Sequence, residues 1–157
     1  MKTFKDKVAV ITGAGSGMGR YLAVLLAQDG ADVCVCDVNE ETLNETVEML
    51  RKYNVSVSSH ILDVSDKDSI EALPQKVIDQ HGKVDMVFNN AGVATGSHFK
   101  DMEEENWDWV MGINFDGVIN HQSIHPAYDR QSRSSYRQYF INLRHGGGTR
   151  SNCISRY

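Results

Sequence analysis

"VAVITGAGSGMGR", Val8–Arg20, is the stretch that decides the fold. It opens with a short β-branched run unbroken by charge, which suits a parallel strand buried on both faces. The run enters a glycine-rich turn at Thr12–Gly19, and from Gly17 to Gln28 apolar residues recur at helical spacing until Gly30 can end the helix. A strand, a glycine turn and a helix in that order place free N–H groups and a positive helix end at the carboxyl edge of the strand. Glycine lets the backbone there approach a pyrophosphate. A glycine turn alone also occurs in ordinary loops, so its neighbours carry the weight.

Working outward, "ADVCVCD" (31–37) reads as a second strand and Glu40–Lys52 as a helix with Leu43, Val47 and Leu50 on one stripe. "VSVSSHILD" (55–63) is a third strand, followed by a helix from Ser65 or Asp66 with Ile70, Leu73 and Val77 inward and Pro74 inside it. "VDMVFNNAG" (84–92) is a fourth strand ending in a turn, and the chain is helical again from Glu103. This alternation predicts an α/β, Rossmann-like doubly wound parallel sheet, with strands 1 to 4 clear and later strands missing. Such sheets bind ligands at the carboxyl ends of their strands.

The second strand ends in Asp37, eighteen residues past Gly19. A carboxylate at that place can accept both hydroxyls of an adenosine ribose and repels a 2′-phosphate. Neither Ser16 nor Val38 offers a positive charge, and Arg20 lies within the helix start. The charge argument favours NAD over NADP as the cofactor.

Taken with "NNAG" at Asn89–Gly92, these residues resemble the short-chain dehydrogenase/reductase family over about residues 5 to 119. The family pattern Thr-Gly-x-x-x-Gly-x-Gly is met by Thr12, Gly13, Gly17 and Gly19, and its Asp-apolar pair after the third strand by Asp63 and Val64. Asn114 in "GINFDGV" matches the helix-borne catalytic asparagine. The resemblance implies that Ser16 and Met18 line the phosphate site and that Asn90, Ala91 and Gly92 lie along the cofactor. It implies reversible hydride transfer between a nicotinamide dinucleotide and a small-molecule alcohol or ketone. In the family a tyrosine phenol moves the proton, assisted by a lysine four residues on, a serine orients the substrate oxygen, and the asparagine fixes a water. A phenol near pKa 10 needs a neighbouring cation to act as a base near neutrality.

That pair is absent: Tyr128, Tyr136 and Tyr139 are followed four residues on by Ser132, Phe140 and Leu143, and no lysine follows Lys100. Arginine does not substitute, since its geometry and fixed charge differ. Of the four catalytic residues only Asn114 is matched. Two readings therefore stand: an oxidoreductase inactive as this chain, or a non-catalytic dinucleotide-binding protein or regulatory fragment.

The chain changes character after Ile119. Residues 1–120 carry 10 basic and 20 acidic groups, and 121–157 carry 6 arginines and a single acidic residue. Read one nucleotide downstream, codons for Ile124–Tyr128 permit Phe-Ile-Pro-Arg-Met, and those for His145–Thr149 permit Met-Ala-Ala-Gly-Leu, which fits the family. The reading is a dinucleotide-binding domain over 1–120 and an out-of-frame, truncated, poorly ordered tail over 121–157. The rival, a basic tail for RNA or a membrane surface, lacks an aromatic–basic pattern or an amphipathic stripe. Without a fifth strand, Val84, Met86, Val87 and Phe88 are expected on an exposed edge that favours self-association.

At 157 residues and net charge −5 the composition suits one domain, with no nucleic-acid or membrane partner. No apolar run is long enough for a signal peptide or a membrane span, and the expected setting is reduced and cytoplasmic. Cys34 and Cys36 share one face of a strand; a metal or redox pair is the rival to two small buried hydrophobes, which is the reading preferred. No metal site is expected: the six histidines lack metal spacing, and Asp101–Glu105 reads as acidic charge at a helix start. Trp107 and Trp109, two apart, face different ways, so one is expected to pack inward.

Overall fold

A computed structural model of the protein describes residues 4–96 and 98–120, together with the backbone of 137–140. The strands are β1 (Val8–Thr12), β2 (Asp32–Asp37), β3 (Val57–Ile61), β4 (Met86–Asn89) and β5 (Arg137–Phe140). The helices are α1 (Gly17–Gln28), α2 (Glu40–Leu50), α3 (Lys67–His81), α4 (Glu104–Met111) and α5 (Gly117–Asn120). All pairings are parallel, in the order β3-β2-β1-β4-β5.

The inner strands β1, β2 and β4 are apolar at almost every position because helices cover both faces, and alternate residues divide between two cores. Ala9, Ile11, Val33 and Val35 pack with Ala23, Leu26, Leu43 and Leu50 of α1 and α2. Val8, Val10, Cys34, Cys36 and Val87 pack with Ile70, Leu73 and Val77 of α3. The two cysteines are thus buried, as expected of small core residues.

α3 runs through Pro74 without a break. Proline removes one backbone donor and crowds the preceding turn. Here it is buried, and the helix is held at both ends: the Asp66 side chain accepts the Asp68 N–H, and Gly82 closes the helix in the left-handed conformation. Trp107 and Trp109 are both about half exposed, 45 % and 48 %, so neither packs fully inward.

The expected bare edge at β4 is corrected. Met86 pairs with Arg137 and Phe88 with Tyr139, so β4 is interior and the sheet edge passes to β5. An open row of backbone N–H and C=O groups is satisfied by any extended segment within reach, whatever its side-chain period. Among the described residues no strand lies beyond β5. The rest of the expected disordered tail over 121–157 falls outside the described residues, and so does any effect of a changed reading frame on it.

At the amino-terminal end of the sheet the Asp85 carboxylate, 5 % exposed, accepts the Val8 N–H at 2.9 Å and pairs with Lys7 (2.9 Å) and Lys83 (3.0 Å). Burial pushes its pKa up; Lys7, the Val8 N–H and Lys83 outweigh this and hold it below its usual value. A carboxyl depressed in the folded state stabilises above its unfolded pKa, and that contribution disappears as pH falls through the folded value. Asp85→Asn should therefore cost about 1–3 kcal/mol in urea unfolding at pH 7. The gap to wild type should narrow below about pH 4. A gap constant with pH would show that the clamp is not ionic.

Candidate functional site: a cleft at the carboxyl ends of the strands

The carboxyl ends of β1, β2 and β4 open into a cleft of about 480 Å³. Gly13, Ser16, Gly17, Met18, Asp37, Asp63, Val64, Asn90, Ala91 and Gly92 line it, together with Val38, Leu62, Val93 and Ile113. Thr12 and Gly19 stand behind this lining and shape it.

Thr12 ends β1 and ties it to β4. Its hydroxyl donates to the Phe88 carbonyl (3.4 Å) and accepts the N–H groups of Asn90 (3.2 Å) and Ala91 (3.1 Å). The Asn90 amide returns the tie, donating to the carbonyls of Thr12 (2.9 Å) and Gly13 (3.1 Å). These bonds lock the turn after β1 to the turn after β4. Gly13 has φ +64, a left-handed conformation that favours glycine, and a Cβ there would meet Ala91 Cα at 2.8 Å.

Ser16 is the N-cap of α1 and makes no side-chain capping bond, and the first turn carries no acidic residue. The positive end of a twelve-residue helix therefore faces the cleft with no acidic side chain in its own first turn. Beside it the Asp37 carboxylate accepts the Gly15 N–H (2.8 Å) and the Asn39 N–H (3.0 Å), which aligns the glycine turn with the start of α2. Asp63 is turned partly on its own loop, where it accepts the Ser65 N–H (2.9 Å) and hydroxyl (2.7 Å). Val64, nearly buried, closes that side.

Arg20 is the basic group nearest in sequence to the glycine turn. Its Nη2 donates to the carbonyls of Gly15 and Thr42 and pairs with Glu45 (2.8 Å), while Nε donates to the Thr46 hydroxyl (2.9 Å). The guanidinium thus clamps the glycine turn to α2 and is occupied in doing so. The sequence places Arg20 at the helix start; its partners Thr42, Glu45 and Thr46 belong to another helix.

Asn114 occupies a π-helical turn, Gly112–Asp116, between α4 and α5. Such turns are local widenings that recur at functional sites. The Asn114 amide exchanges two bonds with the Val93 backbone: it accepts the N–H at 2.8 Å and donates to the carbonyl at 2.8 Å. Asn114 thereby fixes the loop after β4, and its neighbour Ile113 reaches the cleft wall. Sequence reasoning missed Val38, Leu62, Val93 and Ile113. The signal for Val38, 62 % exposed, was an apolar residue directly after a strand-ending aspartate.

Among the described residues no cluster of His, Cys, Asp or Glu could hold a metal ion, and no helix is long and apolar enough to cross a membrane.

Comparison with known proteins agrees with this architecture. The short chain dehydrogenase family model matches residues 7–134, which runs past Ile119, where the motif pattern ends. A 3-oxoacyl-(acyl-carrier-protein) reductase of Thermotoga maritima is 36% identical over 132 residues, 83% of this chain and 54% of that protein. An uncharacterized oxidoreductase of Staphylococcus epidermidis is 35% identical over 158 residues, 98% of this chain and 66% of that protein. The crystal structure of a short chain dehydrogenase/reductase from Burkholderia phymatum in complex with NAD is similar with a TM-score of 0.77 and 39% identity, covering 82% of this chain and 46% of that one. The chain spans about half the length of the Thermotoga protein it matches. On the glycine turn, the order of the parallel sheet and the extent of the family match, this chain belongs to the short-chain dehydrogenase/reductase family.

Proposed function

We propose that the chain binds NAD in the cleft at the strand ends and forms the cofactor-binding part of an oxidoreductase that moves hydride between a nicotinamide and an alcohol or ketone. One observation carries the choice of cofactor. The group that would face a ribose at the end of β2 is a carboxylate, Asp37, and the nearby guanidinium of Arg20 is engaged by Gly15, Thr42, Glu45 and Thr46. A 2′-phosphate would meet a negative charge, with the Arg20 guanidinium engaged elsewhere.

The cradle suits the diphosphate: the uncapped start of α1 faces the cleft, and a Cβ at Gly13 or Gly15 would collide with Ala91 and Asn90 or with Thr42 and Asp37, the groups that shape it. Gly13, Ser16, Gly17 and Met18 would hold the phosphates, Asp37 the adenosine ribose, Asp63 and Val64 the adenine side, and Asn90, Ala91 and Gly92 the remainder. When bound, the cofactor supplies the hydride acceptor. This chain's own residues bind it, orient it and, through Asn114, hold the loop beside it. The 157 residues contain no Tyr-x-x-x-Lys pair, which supports the second reading, dinucleotide binding without turnover by this chain alone.

Calorimetric titration of the chain with NAD and with NADP tests the proposal. NAD should bind about tenfold or more tightly, a difference of ~1.4 kcal/mol. Tighter NADP binding would overturn the assignment. Addition of alcohols to the NAD complex should yield no reduced cofactor; its appearance would remove the non-catalytic reading.

A further inference from the structure

The cysteine pair of β2 has a chemistry that dinucleotide binding does not use. Cys34 and Cys36 are both fully buried, and their sulfurs lie 3.9 Å apart on the α3 face of the sheet. The register with β3 sets Ser58 beside Cys34 and His60 beside Cys36. The Ser58 hydroxyl is hydrogen-bonded to His81 Nε2 at 2.7 Å. His60 Nε2 is buried without a partner, and His60 also lines a groove at the free edge of β3 with Lys76 and Glu40. Two thiols in contact, backed by an imidazole that has one buried nitrogen without a partner and also lines a surface groove, are more than two small core residues.

The Cys36 thiol, with His60 and Ser58, draws the Cys34 thiol below its ordinary value against the opposing effect of burial. The contact with Cys34, together with burial, pushes Cys36 up. The two thiols are thereby divided, Cys34 the more acidic and Cys36 the less, as expected of an attacking and a resolving thiol.

We propose that Cys34 and Cys36 form a peroxide-sensitive dithiol, and that its oxidation to a disulfide within β2 loosens the glycine turn and weakens dinucleotide binding. The Cys34 thiolate attacks one oxygen of hydrogen peroxide, the O–O bond breaks, and hydroxide leaves to take up a proton as water. The Cys36 sulfur then attacks the Cys34 sulfenic sulfur. The S–O bond breaks and a second water leaves with the Cys36 proton, so one peroxide is reduced as two thiols are oxidised.

The consequence for the turn follows from strand geometry. Two residues of a strand span about 6.6 Å between Cα atoms. Disulfides accept about 4.4–6.8 Å, and the sulfurs must close to about 2.05 Å. Closing from 3.9 Å puckers β2 at Cys36. The Cys36 carbonyl accepts the Ala14 N–H at 3.0 Å, and the next residue, Asp37, accepts the Gly15 N–H. Both anchors of the glycine turn are thus attached to the segment that moves.

The effect on NAD rests on the cofactor reading above, so the test has readouts that do not need NAD. In a Cys153→Ser background, folded protein treated with hydrogen peroxide should lose the mass of two hydrogens, with Cys34 and Cys36 joined in one peptide, and reductant should reverse this. Amide exchange at Ala14 and Gly15 should accelerate about tenfold or more on oxidation. NAD affinity should fall by about tenfold in parallel. The Cys36→Ala variant should form no disulfide and should keep its exchange rates under peroxide. Free thiols after treatment, or a disulfide that leaves Ala14 and Gly15 exchange unchanged, would overturn the proposal. Failure of the reduced protein to bind NAD would instead sink the cofactor reading, while mass and exchange still decide the redox one.

Discussion

Replacing Gly19 by alanine should abolish dinucleotide binding and destabilise the whole domain. A Cβ at Gly19 would overlap the Gly13 carbonyl oxygen, with the Gly13 carbonyl carbon at 2.8 Å and Asn90 Nδ2 at 2.5 Å. The first two obstacles are backbone. The third is the amide that ties the two turns together through Thr12 and Gly13. α1 cannot retreat, because Ala23, Leu26 and Ala27 are buried in the core on the same helix. Overpacking of a rigid contact costs about 3 kcal/mol at the upper end of its usual range. Alanine recovers only about 1 kcal/mol of helix propensity over glycine. The net loss of about 2 kcal/mol should appear as a lower urea midpoint with an unchanged slope. NAD binding should fall by more than about a hundredfold, because the turn that faces the cofactor must deform before anything else can give. Wild-type stability and affinity in Gly19→Ala would mean that the turn after β1 is not packed as described.

Asp37→Ala should have the second largest effect, and chiefly on cofactor choice. The substitution removes the acceptor for the Gly15 and Asn39 N–H groups, and with it the negative charge at the end of β2. Hydrogen bonds to a charged group contribute about 1.5–3 kcal/mol each. Loss of one of these toward a ribose should weaken NAD by about ten- to a hundredfold. NADP affinity should fall much less or rise, since the repulsion of its 2′-phosphate disappears with the carboxylate. Parallel calorimetric titrations of both cofactors read the result. Equal losses for NAD and NADP would show that Asp37 acts only by shaping the turn, and an unchanged NAD affinity would remove it from the site.

The cleft-lining residues were legible to different depths. Gly13, Gly17 and Asp37 could be read because their spacing follows strand ends, and strand ends show in the apolar period, whereas Asn90 came by resemblance. Asn114 could be placed on a helix by resemblance, but not its π-helical turn or its grip on Val93, twenty-one positions away in the chain. Arg20 was visible as a charge near the phosphate end, whereas its capture by Thr42, Glu45 and Thr46 depends on how α2 lies against α1. The strand at Arg137–Phe140 has no alternating apolar pattern to announce it. It is defined by the open hydrogen-bonding edge of β4, a property of the partner and not of the segment.

By itself, the sequence determined the alternation of strands and helices, the glycine turn, the carboxylate at the end of β2 and the shared face of Cys34 and Cys36. Each of these is a local property, set by side-chain period, by backbone freedom at glycine or by the pleat of a single strand. Tertiary structure alone decided which groups stay available for chemistry. Arg20 is spent on α2, Asp85 is clamped between two lysines, and His60 is brought beside Cys36 with a nitrogen left unpaired. The physical reason is that hydrogen-bond satisfaction and burial are sums over neighbours distant in sequence, and those neighbours exist only once the sheet has paired and the helices have packed upon it.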